Sequence, residues 1–311
     1  MSDEIKNLVA KTPFDPISPL RALDLQELLS LELPPREFVL SPWLPSQGLA
    51  LLYAFRGVGK TQVALGIAYA VASGGSFLKW SAPKPRPVLY LDGEMPLIAM
   101  QERLARVVQS ASIEPPAPEF LRLVSPDVQE RGFTLSTQEG QLRLEPLLAN
   151  VSLVIVDNIS TLANIGRENE SESWIPLQEW ALTLRRRGTS VLFIHHAGKG
   201  GAQRGTSRRE DVLDTVLALR HPKDFDPRQG ARFEIHFEKA RHLVGDDTTP
   251  ICAHLTNEGW SVRALEEERD CRILSLHAEG YSQTEIALEL EVNKSTISRA
   301  LKRLASEGQW R

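Results

Sequence analysis

A short glycine-containing segment between a strand pattern and a helix pattern limits the fold of this chain more than any other feature. The apolar run LALLYA, residues 49–54, predicts a buried strand, and Gln62–Ala72 predicts a helix with an apolar face. The turn between them contains the sequence RGVGKT, residues 56–61. Closely spaced backbone N–H groups, a helix N-terminus and one lysine together bind phosphate groups. The segment therefore predicts a phosphate-binding loop.

Each position of this loop has an expected role. The glycines permit the tight turn, the lysine reaches the β- and γ-phosphates of a nucleotide, and the threonine hydroxyl binds Mg²⁺. The usual pattern has a further glycine where this chain has Ala54, which adopts many of the same backbone conformations. The alternative is an ordinary glycine-rich turn between a strand and a helix. The residues predicted to contact the nucleotide are Arg56, Gly57, Val58, Gly59, Lys60 and Thr61.

Strand-like and helix-like segments alternate after this loop. Short apolar runs are separated in several places by longer helical patterns, which indicates an α/β domain with a mainly parallel sheet. The sequences FEIHFEKAR and ICAHLTNEGWSVR, after residue 231, predict further strands joined by polar turns. The strand runs are LALLYA, PVLYLDG, FLRLVS, LVIVDN and VLFIHH, and the helical patterns are Gln62–Ala72, Met95–Ser110 and Trp174–Arg187.

The length of 311 residues fits two domains of unequal size and a terminal arm. Residues 1–45 are rich in proline and contain one helical pattern, near Leu20–Leu31. Residues 46–264 form the predicted α/β domain, and residues 265–311 form a purely helical C-terminal domain.

Carboxylates stand at the ends of two predicted strands. Asp157 ends VIVD, where a carboxylate that assists the metal belongs, acting together with Thr61. Glu94 follows VLYLD and is the predicted group that polarises the attacking water, with Asp92 as its competitor. Because the carboxyl ends of parallel strands meet at one edge of a sheet, these side chains are expected to approach the γ-phosphate. Ordinary capping of the next helix is the alternative role.

Two later segments carry candidates for sensing phosphate and for contacting nucleic acid. VLFIHH ends in a histidine pair, of which His195 is the predicted γ-phosphate sensor, although such a pair is often structural. The next segment, GKGGAQRGTSRRED, is glycine-rich and basic, so Lys199, Arg204 and Arg208 are expected to meet DNA phosphates. A solvated connector is nearly as good an interpretation of this segment.

Lys239 and Arg241 lie two residues apart in FEKARHL and would share one face of a strand. Such a pair can reach the nucleotide of a neighbouring subunit as an arginine finger. A charged strand face is the alternative.

The C-terminal segment has the pattern of a helix-turn-helix. One helix stops near Gly280, a short helix starts at a capping box formed by Ser282 and Glu285, and a third helix follows Asn293. The third helix is basic although residues 266–311 carry a net charge of −2, from seven Lys or Arg and nine Asp or Glu. It is therefore the predicted recognition helix, with a helical interaction domain as the alternative. The expected DNA contacts are Lys294, Ser295, Thr296, Ser298, Arg299, Lys302 and Arg303.

Taken together, these motifs resemble the RecA-like P-loop ATPases of the plasmid RepA helicase type, the AAA_25-like group, from about residue 35 to residue 241. The resemblance implies a core that assembles head to tail, commonly as a hexameric ring with ATP at the subunit interfaces. It also implies that Lys60 and Thr61 bind ATP and Mg²⁺, Glu94 is catalytic, Asp157 serves the metal, His195 senses phosphate, and Lys239 and Arg241 act in trans. The matching elements are GVGKT, LDGEM, VIVDNIS with RENE and Trp174, IHHAGKGG, RGTS with Asp211, and EKAR.

The leading functional hypothesis is an ATP-hydrolysing motor that acts on DNA, such as a hexameric helicase or replication factor of a mobile element. The alternative is a DNA-binding regulator whose oligomerisation is controlled by ATP; a recombination mediator that forms filaments is a third possibility. The net charge of −4 limits DNA attraction to local basic patches. The apolar runs are too short to span a membrane, no secretory signal is evident, and the two cysteines form no disulfide framework. A cytoplasmic protein is therefore expected.

Overall fold

The structure, a computed structural model, describes residues 21–163, 170–198, 211–256 and 259–306, with the backbone alone for residues 170–173. The strands are β1 Phe38–Leu40, β2 Leu44–Pro45, β3 Leu49–Ala54, β4 Ser76–Phe77, β5 Trp80–Ser81, β6 Val88–Asp92, β7 Leu121–Val124, β8 Leu153–Asp157, β9 Ser190–His196, β10 Thr215–Arg220, β11 Arg232–Ala240, β12 Ile251–Thr256 and β13 Gly259–Ala264. The α-helices are α1 Leu25–Ser30, α2 Lys60–Ser73, α3 Leu97–Ser110, α4 Gln138–Leu144, α5 Ile159–Leu162, α6 Glu170–Arg186, α7 Leu265–Ala278, α8 Gln283–Glu289 and α9 Lys294–Ser306.

Nine of the strands form one sheet, in the order β13-β12-β11-β10-β3-β9-β8-β6-β7. The six strands from β10 to β7 are parallel, and β11, β12 and β13 extend the sheet in antiparallel fashion. Helices cover the parallel part on both faces, because its strands are apolar on both faces and would otherwise expose them to water. The predicted fold class, a mainly parallel α/β core with a small all-α domain, is confirmed.

All five predicted apolar runs form strands, namely β3, β6, β7, β8 and β9. One parallel strand, β10 at Thr215–Arg220, has no counterpart in the sequence-based prediction. Its apolar run of four residues, VLAL, is too short for periodicity to separate a buried strand from a buried piece of helix. The predicted helices differ from α2, α3 and α6 by a few residues at their ends, where patterns are least informative.

The N-terminal helix is shorter than predicted, since α1 covers only Leu25–Ser30. Asp24 and Glu27 form a capping box at its start, which satisfies N–H groups that have no partner within a helix. None of its residues is buried, so the helix does not pack into the core of its own chain. None of the described helices is long and apolar enough to cross a membrane.

The helix after the phosphate-binding loop packs very closely against a small hairpin. The hairpin pairs β4 with β5, and a Cβ added at Gly66 on α2 would lie 2.1 Å from an atom of the Phe77 ring on β4. Only a residue without a side chain fits at this contact. The close packing fixes the position of α2, and with it the start of this helix, where the loop lies.

The C-terminal domain forms three helices around a small core. The capping box of Ser282 and Glu285 is present at α8, and Gly280 takes a positive φ of 93° just beyond α7. A half-buried ion pair joins the first helix to the third, because Arg303 on α9 donates to the buried Asp270 on α7 at 2.5 Å. The buried core residues are Ile273, Leu276, Ile286, Ala287, Ile297, Ala300 and Leu301.

Replacing Gly66 with alanine is predicted to lower the free energy of unfolding by about 1–3 kcal/mol, because the new methyl group overlaps the Phe77 ring. Gly132→Ala is the matched control, since a Cβ at Gly132 meets no atom within 4 Å. Chemical denaturation of both variants measures the difference. Equal stability of the two variants would contradict the close packing of α2.

Candidate nucleotide-binding site

The carboxyl ends of β3, β9, β8 and β6 meet at one edge of the sheet and bring the polar residues together. Asp92 is the register partner of Asp157, and His196 is the register partner of Ala54, the last residue before the loop. Because side chains alternate along a strand, the side chains of these strand-end residues share the face of the sheet that α2 covers. The edge therefore combines a glycine-rich loop with two carboxylates and an imidazole.

The loop is held together by the lysine that starts α2. Lys60 is only 6% exposed, and its Nζ donates to the carbonyl oxygens of Ala54 at 3.2 Å and Phe55 at 2.8 Å. Gly57 and Gly59 have φ angles of 83° and 117°, which favour glycine. Ala54 is a buried strand residue without a positive φ, so this loop forms without a glycine at that position.

Burial lowers the pKa of the Lys60 ammonium to about 8. Asp157 and Glu94 oppose this shift because their negative charges favour the charged amine. An ammonium group buried in this way, beside exposed backbone at Arg56 and Gly57, fits the negative charge of a phosphate chain.

Asp157 lies directly behind the loop and is 5% exposed. Tyr90 Oη donates to its Oδ2 at 2.6 Å, and the Thr61 side chain also forms a hydrogen bond with it. Burial raises the pKa of Asp157, while the bonds from Tyr90 and Thr61 and the charge of Lys60 act in the opposite direction. The carboxylate is therefore in contact with the hydroxyl predicted to bind Mg²⁺.

The residues present fit a magnesium ion that is held mainly by a bound nucleotide. No group of three or more His, Cys, Asp or Glu that could hold a metal by itself occurs among the described residues. Mg²⁺ in phosphate-transfer sites commonly uses one or two protein oxygens together with phosphate oxygens and water. Thr61, supported by Asp157, supplies a set of this kind.

The two candidates for polarising water, Asp92 and Glu94, have different surroundings. Asp92 is 1% exposed, and its carboxylate accepts backbone N–H groups of Glu94 and Met95 at 3.2–3.4 Å. Burial raises the pKa of Asp92 to about 6 despite these bonds. The Glu94 side chain is 54% exposed and faces the other strand ends. Asp92 thus shapes the turn, and the geometry favours Glu94 as the group that meets a water molecule.

Asn158 connects Glu94 to the histidine pair, a role that the sequence prediction did not include. Its Nδ2 donates to Glu94 Oε2 and lies 3.3 Å from His196 Nε2, while its Oδ1 accepts the Thr161 N–H at 3.3 Å. The bond from Thr161 fixes which end of the amide faces the site. His196 Nε2 is then an acceptor, which corresponds to a neutral imidazole.

The electrostatic environment agrees with a neutral His196. Burial, followed by the nearby positive charge of Lys60, lowers the pKa of the imidazole, although Glu94 at 3.6 Å acts in the opposite direction. Asn158, through its Nδ2, holds the Glu94 carboxylate beside the loop.

The histidine predicted to sense phosphate, His195, lies on the other face of the sheet. It is 2% exposed and is the register partner of Tyr53, whose side chain belongs to the opposite core. Strand alternation allows only one of the adjacent histidines to face α2, and the register shows that it is His196. The sequence alone carries no signal for this register, so the structure corrects the choice between the two.

Arg241 lies at the edge of the sheet opposite the loop, whereas Lys239 is level with Leu51, three residues before the end of β3. The Arg241 N–H donates to the Asp214 carbonyl at 3.0 Å, and the Asp214 N–H donates to the Leu49 carbonyl at 2.7 Å. Leu49 is the first residue of β3, whereas the loop follows Ala54, the last. At 3.3 Å per residue, the Leu49 end of β3, where Arg241 lies, is about 17 Å from the loop. Arg241 lies just beyond β11, which ends at Ala240.

The predicted DNA contacts of the third helix differ in exposure. The exposed ones are Lys294, Ser295, Arg299 and Lys302. Thr296 and Ser298 are half-buried, and Arg303 is engaged by Asp270. A guanidinium bound to a buried carboxylate on the neighbouring helix is less available to DNA than the exposed side chains are. Lys199, Arg204 and Arg208 lie outside the described residues.

Comparison with known proteins identifies two regions of the chain. The family model of an AAA domain, AAA_25, matches residues 15–202, and a helix-turn-helix domain model matches residues 267–304. The crystal structure of a KaiC-like protein from the hyperthermophilic archaeon Pyrococcus horikoshii OT3 is similar, with a TM-score of 0.50 and 16% identity. The match covers 70% of this chain and 90% of that one. At this identity the likeness supports the fold alone.

The pKa of Lys60 predicts how nucleotide binding depends on pH. Because the free amine has a pKa of about 8, it loses its charge as the pH rises through that value, and binding must then recover a proton. Affinity for ATP is expected to be constant below about pH 8 and to fall by up to about tenfold per pH unit above it. Calorimetric titration across this range measures the profile. Lys60→Met should bind weakly with no such dependence, and a flat profile for the unmodified protein would contradict the assignment.

Proposed function

The chain belongs to the AAA domain family AAA_25, and on that premise we propose that it hydrolyses ATP with Mg²⁺ to drive work on DNA. The observation that carries the proposal is the meeting of Lys60, Thr61, Asp157 and Glu94 at one edge of the parallel sheet. Each of the four chemical tasks of a nucleoside triphosphatase has a group here: binding phosphate, holding the metal, supporting that ligand and polarising water.

In the proposed reaction Lys60 neutralises charge on the β- and γ-phosphates, and the loop N–H groups from residues 56–61 surround them. Thr61, supported by Asp157, would hold Mg²⁺, and the ion would neutralise the charge that develops on the phosphates. Glu94 accepts a hydrogen bond from the attacking water. Asn158 positions the Glu94 carboxylate, because its Nδ2 donates to it directly.

Lys239 and Arg241 are proposed to act on the nucleotide of a neighbouring copy. Arg241 lies about 17 Å from the level of its own loop and Lys239 about 10 Å, further than either side chain reaches, which supports a role at ATP bound by another copy. A head-to-tail contact, in which one edge of the sheet meets the opposite edge of the next copy, would bring the finger to the phosphates. Repeated head-to-tail contacts close into rings, and a hexamer is the proposed assembly.

DNA is the proposed partner, through the C-terminal domain at residues 265–311. Lys294, Arg299 and Lys302 are exposed on or at the start of the third helix, as a recognition helix requires. Residues 46–264 are the proposed ATPase unit and residues 1–45 the arm. The combination favours a helicase or replication factor of the RepA type, carried by a mobile element.

A regulator whose assembly is controlled by ATP is the second candidate, because the two domains are joined by specific contacts. Arg232 on β11 donates to Glu268 on α7 at 3.1 Å, and Lys223 pairs with Glu291 in the turn before α9. Such contacts would let the ATPase domain set the position of the recognition helix. Strand displacement driven by ATP supports the motor, whereas duplex binding that depends on ATP but not on its hydrolysis supports the regulator.

Glu94→Gln is predicted to lower ATP turnover by about 10²–10⁴-fold while ATP binding is retained, because the amide cannot accept the proton of water. Lys60→Ala should lose both binding and turnover. Steady-state turnover and equilibrium binding measure the two effects, with and without single-stranded and duplex DNA. Glu102→Gln, an exposed change on α3, is the matched control. Turnover of Glu94→Gln close to that of the unmodified protein would reject this residue as the catalytic carboxylate.

Arg299→Ala is predicted to weaken duplex binding by about 1–3 kcal/mol, roughly 5- to 150-fold, with little change in melting temperature, because the side chain is exposed. Arg303→Ala should instead lower the stability of the C-terminal domain, since Asp270 loses its partner. Fluorescence anisotropy with duplexes selected from a random-sequence pool, and thermal melting, distinguish the two. Unchanged binding by Arg299→Ala would remove this residue from the DNA interface.

A further inference from the structure

A buried carboxylate at the edge of the sheet opposite the loop is surrounded by two arginines and a histidine. Asp214, just before β10, has a side chain that is 4% exposed. Its Oδ2 accepts the Leu49 N–H at 2.9 Å and lies 3.6 Å from Arg185 Nη1. Its Oδ1 lies 3.6 Å from His242 Nε2 and 3.9 Å from Arg241 Nη1. Removing a carboxylate from water is costly unless it gains partners, so this group and its neighbours are arranged as a unit.

The same segment holds Arg241 through its backbone. The Arg241 N–H donates to the Asp214 carbonyl at 3.0 Å, and Arg241 Nη2 donates to the Asp211 carbonyl at 2.5 Å. Three contacts therefore converge on one arginine: two hydrogen bonds and the charge of Asp214. The Arg241 side chain is still 45% exposed, and a guanidinium has five N–H donors. Donors thus remain available for a second ligand.

Asp214 also connects this arginine to the strand that carries the loop. Its carboxylate and its own N–H bind the backbone of Leu49, the first residue of β3, while the loop follows Ala54, the last. One rigid buried strand therefore separates the Arg241 anchor at one end from the phosphate-binding loop at the other. In a head-to-tail assembly, the two ends of β3 would then belong to two consecutive nucleotide sites.

We propose that Asp214 is a positioning residue that holds the Arg241 guanidinium in place for the γ-phosphate bound by a neighbouring copy of this chain. The inference rests on the proposed function, because it assigns Arg241 to the ATP of the neighbour. A long arginine side chain loses much rotational freedom when it is fixed, and an anchor that fixes it beforehand removes that cost from catalysis. The expected ligand of Arg241 is a nucleoside triphosphate. Its phosphates are negatively charged, and their oxygens match the N–H donors of a guanidinium.

The test uses the full chain with Asp214→Asn, which keeps an oxygen for the Leu49 N–H but removes the charge. Turnover at saturating ATP is expected to fall by at least about tenfold, while the KM for ATP and the assembly mass stay the same, because the loop is intact. Asp226→Asn, an exposed carboxylate paired only with Arg228 among the described residues, is the matched control and should behave like the unmodified protein. If Asp214→Asn does not fold, Asp214→Ser replaces it in the same assays.

Mixing two impaired variants separates positioning from general damage. Lys60→Ala keeps an intact Arg241 finger and Asp214→Asn keeps an intact loop, so roughly a quarter of the interfaces in a random mixture combine both intact parts. Turnover per subunit in the mixture should therefore exceed the mean of the two variants measured separately. Turnover equal to that mean would overturn the inference, and so would turnover of Asp214→Asn within about twofold of the unmodified protein, below what loss of a finger causes.

The same measurements show which claim fails. If the unmodified protein turns over ATP, Lys60→Ala does not and Asp214→Asn does, the proposed function stands and only the role of Asp214 is wrong. If the unmodified protein and Lys60→Ala are equally inactive in an assembled state with Mg²⁺, the proposed function is wrong and the role of Asp214 falls with it.

Discussion

The burial of one ammonium group, that of Lys60, is the constraint on which the nucleotide site depends. Lys60 is 6% exposed, and its amine is satisfied by the carbonyls of Ala54 and Phe55 and by the nearby charges of Asp157 and Glu94. A buried ammonium group needs hydrogen-bond acceptors and negative charges from several strands. A parallel sheet can provide them together because its strands end at one edge. The order β3-β9-β8-β6 brings these compensating groups together. The fold and the site are therefore consequences of the same arrangement.

Much of the fold was predictable because its signals are local. The loop sequence, five apolar runs and the capping box at Ser282 identify their elements without any long-range information. The histidine pair shows where this stops: whether His195 or His196 faces α2 depends on the register of β9 against β3. Asn158 was missed for a similar reason, since its partners Glu94 and His196 are 64 and 38 residues away. Long-range register and packing carry this information, and no single-sequence pattern encodes them.

The proposed assembly follows from the positions of the loop and Arg241 at opposite ends of β3. The loop lies beyond Ala54, and Arg241 is anchored beside Leu49. In the proposed assembly, one copy would therefore carry two halves of a site that it could not join by itself. ATP bound at such an interface would couple the chemistry to contact between subunits. The acidic net charge of −4 fits this scheme, because short basic helices on several copies would supply the DNA affinity that one copy lacks.

The most direct measurement of this account is ATP turnover per subunit across a dilution series, with the assembly mass determined by light scattering in the same buffer. If the site is completed by a neighbour, turnover per subunit falls in step with dissociation and is lost in the monomer. Turnover per subunit that stays constant while the assembly dissociates would show that one chain contains the complete site. That result would contradict the trans role of Arg241.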